Sequence, residues 1–337
     1  MTDTYKKYPF WRTGYEDAEK LMASAKRGER HTLCTSAGGH EIHYLTYGEK
    51  IDYKRTANFS SACGAKDPKY YADREGKPQT IFLFGATHGQ ETEGVCGLLN
   101  LISLLETGRD LGGLEVPSLT EAFNNSGARL IILPIYNVDG RIRCVPDSMI
   151  EEPPDSLRYH GQGTWKDGTL CGWPQCKTVH PIKNAVDFLG AYYNDDGVNL
   201  MHDNFFAPMA QETRALLALA DEEQPNLCIG LHGGSNSTSE LLQPSYVPDY
   251  LREGVHMLAV RHANLAAAHG LKTHVRPVPT KIESFPPPSF NLTSALSHVC
   301  GAVSATFESN EGLADNNAFT ALQILQHHYC LFEACFG

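Results

Sequence analysis

Thr80-Ile81-Phe82-Leu83-Phe84-Gly85-Ala86-Thr87-His88-Gly89-Gln90-Glu91 is the stretch that decides the fold. Its first six residues form a near-continuous apolar run, the pattern of a strand covered on both faces. The run breaks at Ala86-Thr87-His88-Gly89. From Gln90 to Glu106 the apolar residues Val95, Leu98, Leu99, Ile102 and Leu105 recur three and four apart, which predicts a helix that stops at Gly108. A buried strand, a tight polar turn and an apolar helix make one α/β unit.

The same grammar recurs outward from this unit. Strands are predicted over Glu41–Tyr47, Ala128–Ile135, Asn226–Leu231 and Ala302–Phe307, and helices over Met209–Glu223, Leu251–His269, Leu292–His298 and Asn317–Phe336. The expectation is an α/β fold, a mixed central sheet with helices on both faces, in a single domain over 1–337. The segment 141–205, rich in Pro, Gly, Asp and Cys, reads as a long loop-rich excursion. Residues 272–290 are rich in Pro and Thr, and Pro286 to Pro288 read as a rigid extended rim. No internal repeat is visible.

Composition narrows the function. The chain has 337 residues, 42% of them apolar, and a formal net charge of −11. It is too apolar for a disordered chain. It is acidic and lacks a Lys/Arg-rich run, which argues against general nucleic-acid binding. No stretch approaches the roughly 20 apolar residues of a membrane span, and the N-terminus MTDTYKKYPFWR carries no apolar secretory segment, so the expected location is cytoplasmic. Several of the ten cysteines, such as Cys96, Cys228, Cys300 and Cys330, fall in apolar runs and read as reduced core residues. Cys171 and Cys176, in the polar stretch CGWPQC, leave packing, a disulfide and a metal role open.

The polar residues of interest lie just beyond apolar strands, the edge at which open α/β sheets bind ligands. His88 and Glu91 straddle one strand end, and Gly89 permits the tight turn that would let them converge. His232 ends a second strand. Two His and one Glu are a standard zinc set with a position left for water, and such a site acidifies water and polarises a carbonyl. Glu308 ends a third strand, a costly place for a carboxylate unless it faces a cleft, and is the candidate general base. The competing readings are loop-capping histidines, a Glu308 that is salt-bridged or caps the next loop, and Glu311, which lies out in the turn, as a competitor for the base.

In this order the motifs resemble the zinc carboxypeptidase family. His88 and Glu91 match its HxxE zinc motif, and Asn137-Val138-Asp139-Gly140 loosely matches its Asn-Pro-Asp-Gly turn. His232 corresponds to its third zinc ligand, and Thr306-Phe307-Glu308 with Gly312 matches its general-base segment. The resemblance covers about residues 30–335. It implies a Zn2+-dependent hydrolase, a metallopeptidase or amidohydrolase, that cleaves an amide in a small-molecule or short-peptide substrate, with Glu308 as base and Asn137 as a candidate substrate contact.

Two departures stand out. Where the family carries an Asn-Arg pair that grips the substrate carboxylate, Gly197 to Phe205 contains no arginine; His202 and Asp203 occupy the place and become candidate substrate contacts. Arg276 or Lys281 could supply the missing charge from another loop. The family's carbonyl-polarising arginine follows a Trp, which makes Lys166, after Trp165, the candidate, with Arg158, Arg141 and Arg143 as alternatives. No Tyr stands in Phe285 to Phe290, where the family has a substrate-contacting one. The HGxE form also resembles the aspartoacylase and succinylglutamate desuccinylase branch and bacterial cell-wall peptide amidases. A deacylase of N-acyl amino acids and a non-catalytic zinc-binding module are therefore the alternatives.

Overall fold

The computed structural model describes residues 4–279 and 285–337. Eight strands form one mixed sheet: β1 (Glu29–Thr35), β2 (Glu41–Tyr47), β3 (Thr80–Gly85), β4 (Arg129–Leu133), β7 (Leu227–Gly234), β8 (Ser239–Leu242), β9 (Thr273–His274) and β10 (Val303–Asn310). Their order is β1-β2-β4-β3-β7-β10-β8-β9. The centre, β4-β3-β7-β10, is parallel, while β1, β2 and β4 meet antiparallel, as do β10 and β8. Every residue of β3 and β4 is buried, as their apolar runs require. Each Leu, Ile or Phe so placed contributes about 1.5–3 kcal/mol relative to exposure.

Helices flank the sheet. Glu93–Thr107 is buried from Glu93 through Leu105, so it reads as apolar nearly all round. It packs on β3 and β7 and against Ala321–Phe336, which also meets Asp249–Ala268. Gln211–Glu223 and Leu292–Cys300 pack together as a second group, the latter against β7 and β10. The predicted stop at Gly108 is a left-handed cap with φ 79° whose N–H donates to the Leu104 carbonyl.

Several boundaries differ from expectation for local reasons. The helix expected from Gln90 starts at Glu93 instead, because Gln90 to Thr92 form the turn that carries Glu91. The last begins at Ala321, where Thr320 and Gln323 form a capping box. Strand β10 runs past Phe307 to Asn310 because Glu308, Ser309 and Asn310 pair with His232, Gly233 and Gly234. Strand β1 escapes a periodicity reading because it is largely solvent-facing, and β9 because it has two residues.

The excursion at 141–205 carries a small hairpin, β5 (Gly163–Trp165) with β6 (Val186–Leu189). It has its own core of Cys171, Cys176, Ile182, Val186 and Tyr193. Both cysteines are buried free thiols. Among the described residues no helix is long and apolar enough to cross a membrane.

Candidate active site

The site forms where the parallel strands end. After β3 the chain turns through Ala86, held at φ 47°, with its carbonyl accepting the N–H of Asn137. A left-handed alanine costs energy and persists only where its surroundings enforce it. Gly89 then lies flat against the helix Val138–Arg143: a Cβ there would meet the Gly140 carbonyl carbon at 2.2 Å and the Arg141 nitrogen at 2.3 Å. Its N–H donates to the Ala191 carbonyl, and its carbonyl accepts from Arg141 at 2.8 Å. These contacts hold the His88–Glu91 turn.

His88 Nδ1 lies 2.7 Å from Glu91 Oε1, and His232 Nδ1 lies 2.8 Å from Glu91 Oε2. The imidazoles are edge-on at 5.1 Å, and His88 stacks on Tyr192 at 3.8 Å. All three residues are buried, and their ligand atoms lie within 4.8 Å of one another in an arrangement that could hold a metal ion. Among the described residues the outer nitrogens, Nε2 of both histidines, have no partner. Two ring nitrogens directed at the two oxygens of one buried carboxylate are the donor set that a tetrahedral divalent cation takes. Burial lowers the His88 pKa. At Glu91 burial opposes ionisation, but the two histidines outweigh it and hold the carboxyl low.

Glu308 stands beside His232 in the sheet, its register partner on β10. It is partly buried and opens to the same cleft. Burial pushes its carboxyl up to about 7, against the pull of His232. On its other side Glu308 is paired with Glu240 on β8, and Glu240 with His274 on β9. One row across the sheet thus reads His232, Glu308, Glu240, His274. Glu240 accepts from Arg276 through two bonds of 2.6 and 2.8 Å.

The cleft has a volume of about 1160 Å³. His202 lines it, but as the partner of Lys177, whose Nζ lies 2.8 Å from His202 Nε2. Partial burial and the Lys177 cation push His202 down to about 3. His202 is therefore a neutral acceptor at Nε2, and its Nδ1–H donates to Ser289 Oγ at 3.1 Å.

Three expected site residues lie elsewhere. Lys166 is on the exposed turn after β5 and does not line the cleft, because the hairpin directs that turn to solvent. Lys177, twelve positions along the chain from Trp165, faces the cleft and stands close enough for its charge to act on His88 and His232. Asp203 does not line the cleft either: its buried carboxylate accepts from the backbone N–H groups of Asn204, Met209 and Ala210. Asn137 caps the helix Val138–Arg143, accepting from the Gly140 N–H while its amide donates to the Ala191 carbonyl. Both braces are internal, and neither Asp203 nor Asn137 lines the cleft.

The other cations divide similarly. Arg141 is spent on the carbonyls of Gly89, Cys144 and Pro146, and Arg143 on those of Gly190 and Tyr193 and on Asp195. Arg158 and Arg276 line the cleft. Lys281 lies outside the described residues.

One carboxylate, Glu93, went unremarked in sequence, and another, Glu311, expected out in the turn as a competitor of Glu308, is instead buried. Glu93, the first residue of its helix, and Glu311, just beyond β10, are wholly buried, and burial pushes both above the usual carboxyl range. A Cβ on Gly233 would come within 2.4 Å of Glu93 Oε2 and 2.9 Å of Glu311 Cγ, so both press on the strand beside His232. The signal available in sequence was a Glu inside an apolar helix start.

The same architecture occurs in solved metallocarboxypeptidases. The metallo-carboxypeptidase of Burkholderia cenocepacia superposes with a TM-score of 0.59 at 12% identity, over 96% of this chain and 68% of that one. That of Pseudomonas aeruginosa, in complex with (2-guanidinoethylmercapto)succinic acid, gives 0.54 at 13%, over 95% and 66%. Carboxypeptidase A of Helicoverpa armigera gives 0.51 at 14%, over 97% and 72%. At these identities the likeness is one of fold. No protein-family model matches the sequence, and no curated protein matches it.

Proposed function

We propose that this chain is a zinc-dependent hydrolase that cleaves an amide bond in a short peptide or peptide-like substrate. One observation carries the reading: both oxygens of buried Glu91 meet the Nδ1 atoms of His88 and His232, and Glu308 is the register neighbour of His232. His88, Glu91 and His232 would hold the metal. When bound, zinc supplies Lewis acidity that acidifies water and polarises a carbonyl.

The chain's own residues do the rest. Glu308, with its carboxyl raised toward neutrality, takes a proton from the attacking water and returns it to the departing amine. Lys177, rather than Lys166, offers the N–H groups that meet negative charge developing on the carbonyl oxygen. His202 positions Lys177 by accepting a hydrogen bond from its ammonium group. Tyr192 fixes the plane of the His88 ring.

The test is metal analysis of purified protein together with a panel of short peptides and acylated amino acids. Bound zinc with peptide hydrolysis supports the reading. Arg158 and Arg276 in the cleft favour one second reading, a deacylase that holds the carboxylate of an N-acyl amino acid. Release from acylated amino acids without peptide cleavage would select it.

A further inference from the structure

The reaction described above leaves one buried acid in the cleft without work. Glu311 lines the cleft, is 1% exposed, and among the described residues neither of its carboxylate oxygens has a partner. Glu93 packs beside it under Gly233, fully buried, with its own backbone N–H and the Thr92 hydroxyl as its near donors. The cation whose field reaches Glu93, Arg141, forms no ion pair with either and gives its N–H groups to three backbone carbonyls. A buried acid with no hydrogen-bond donor, such as Glu311, is costly and calls for a partner or a role.

We infer that Glu311, backed by Glu93, is a subsite for a primary ammonium group of the substrate. This rests on the hydrolase reading and narrows its substrate class to amides that carry a free amine near the cleaved bond. The chemistry favours an ammonium over a second inorganic cation. Among the described residues, the set of three or more metal-type ligands that converges is His88, Glu91 and His232, and it includes neither Glu93 nor Glu311. Two carboxylates fall short of the six or more oxygens of a calcium site, whereas an ammonium has three N–H donors to place. Glu311 follows Glu308 by three residues at the exit of β10, so an amine held there lies beside the reacting edge. The same contact rejects N-acylated analogues, which offer no cation and would leave the acid unpaired.

The amine could be the α-amine of a short peptide or the terminal amine of a side chain, and matched substrates separate the two. The zinc-loaded protein is assayed on one dipeptide-like amide with both amines free, with the α-amine acetylated, and with the side-chain amine acetylated. One acetylation is expected to raise KM at least tenfold, which names the amine that Glu311 holds. In Glu311→Gln that preference collapses toward unity, and in Glu311→Asp part of it returns. Equal KM values across the three substrates, or an equal loss on all of them in Glu311→Gln, would overturn the inference. Absence of any turnover in the unsubstituted protein bears on the hydrolase reading instead. Calorimetry then decides the subsite separately: butylamine binds the unsubstituted protein at least tenfold more tightly than butanol and loses that advantage in Glu311→Gln. Equal binding of butylamine to both proteins, or a drop in metal stoichiometry in Glu311→Gln, counts against the subsite.

Discussion

Glu308 and His232 are direct register partners on adjacent parallel strands, β10 and β7. A proton acceptor and a metal-type ligand are thereby locked one strand spacing apart by backbone hydrogen bonds. Neither depends on a flexible loop for its place, and sites built on strands hold their geometry more closely than sites built on loops.

Replacing His232 by Ala removes one of the two ring nitrogens that meet Glu91. The protein is expected to purify with little zinc and to lose more activity than the ~10- to 100-fold that follows loss of an outer-shell partner. Adding zinc to chelator-treated protein should raise the thermal midpoint of the unsubstituted chain and leave the variant unmoved, since only native-state binding stabilises.

Glu308→Gln keeps the shape and removes the proton acceptor. Zinc content is expected to stay at the unsubstituted level while kcat falls by about 10²–10⁴-fold. Joint loss of zinc and activity would mean that Glu308 serves the metal rather than the proton.

The two lysines separate cleanly. Lys177→Ala should lower kcat by about 10²-fold, the range seen when one donor to a developing oxyanion is removed. Lys166→Ala, on an exposed turn, should change stability by no more than about 0.5 kcal/mol and leave kcat alone. Steady-state kinetics on both variants decides between them.

Gly89→Ala drives a Cβ into the backbone of Gly140 and Arg141. The helix Val138–Arg143 must shift, at a cost of about 1–3 kcal/mol, and the His88–Glu91 turn shifts with it. Urea unfolding measures the first effect and zinc affinity the second. An undamaged protein would mean that the turn is slacker than its contacts indicate.

Three buried histidines predict an acid limit to stability. His262 and His328 are pushed down to about 4 and His327 to about 3 by burial. Several of their ring nitrogens have no partner among the described residues. Their folded pKa values lie below the unfolded value, so the unfolded chain binds more protons. Stability is fully present above about pH 6.5 and is lost as pH falls from there through 4 toward 3. The thermal midpoint should drop over that window. His327→Leu, which removes two unpartnered nitrogens, should flatten the dependence; an unchanged slope would assign it to other groups.

What the sequence determined by itself is the edge. Apolar runs of strand length announced β3, β4, β7 and β10, and parallel strands in one sheet end on one side. Polar residues just past those runs, His88, Glu91, His232 and Glu308, therefore had to gather, whatever the loops did. The tertiary structure alone decided the rest. Lys166 and Lys177, Asp203 and His202, and Asn137 lie in turns without periodicity, where side-chain direction is set by packing against distant segments. Asp203 is turned inward by three backbone N–H groups and Lys177 toward the cleft beside His202. The pairing of Glu93 with Glu311 under Gly233 joins residues more than two hundred positions apart. No local pattern reports it, because it exists only once β7 and β10 are in register.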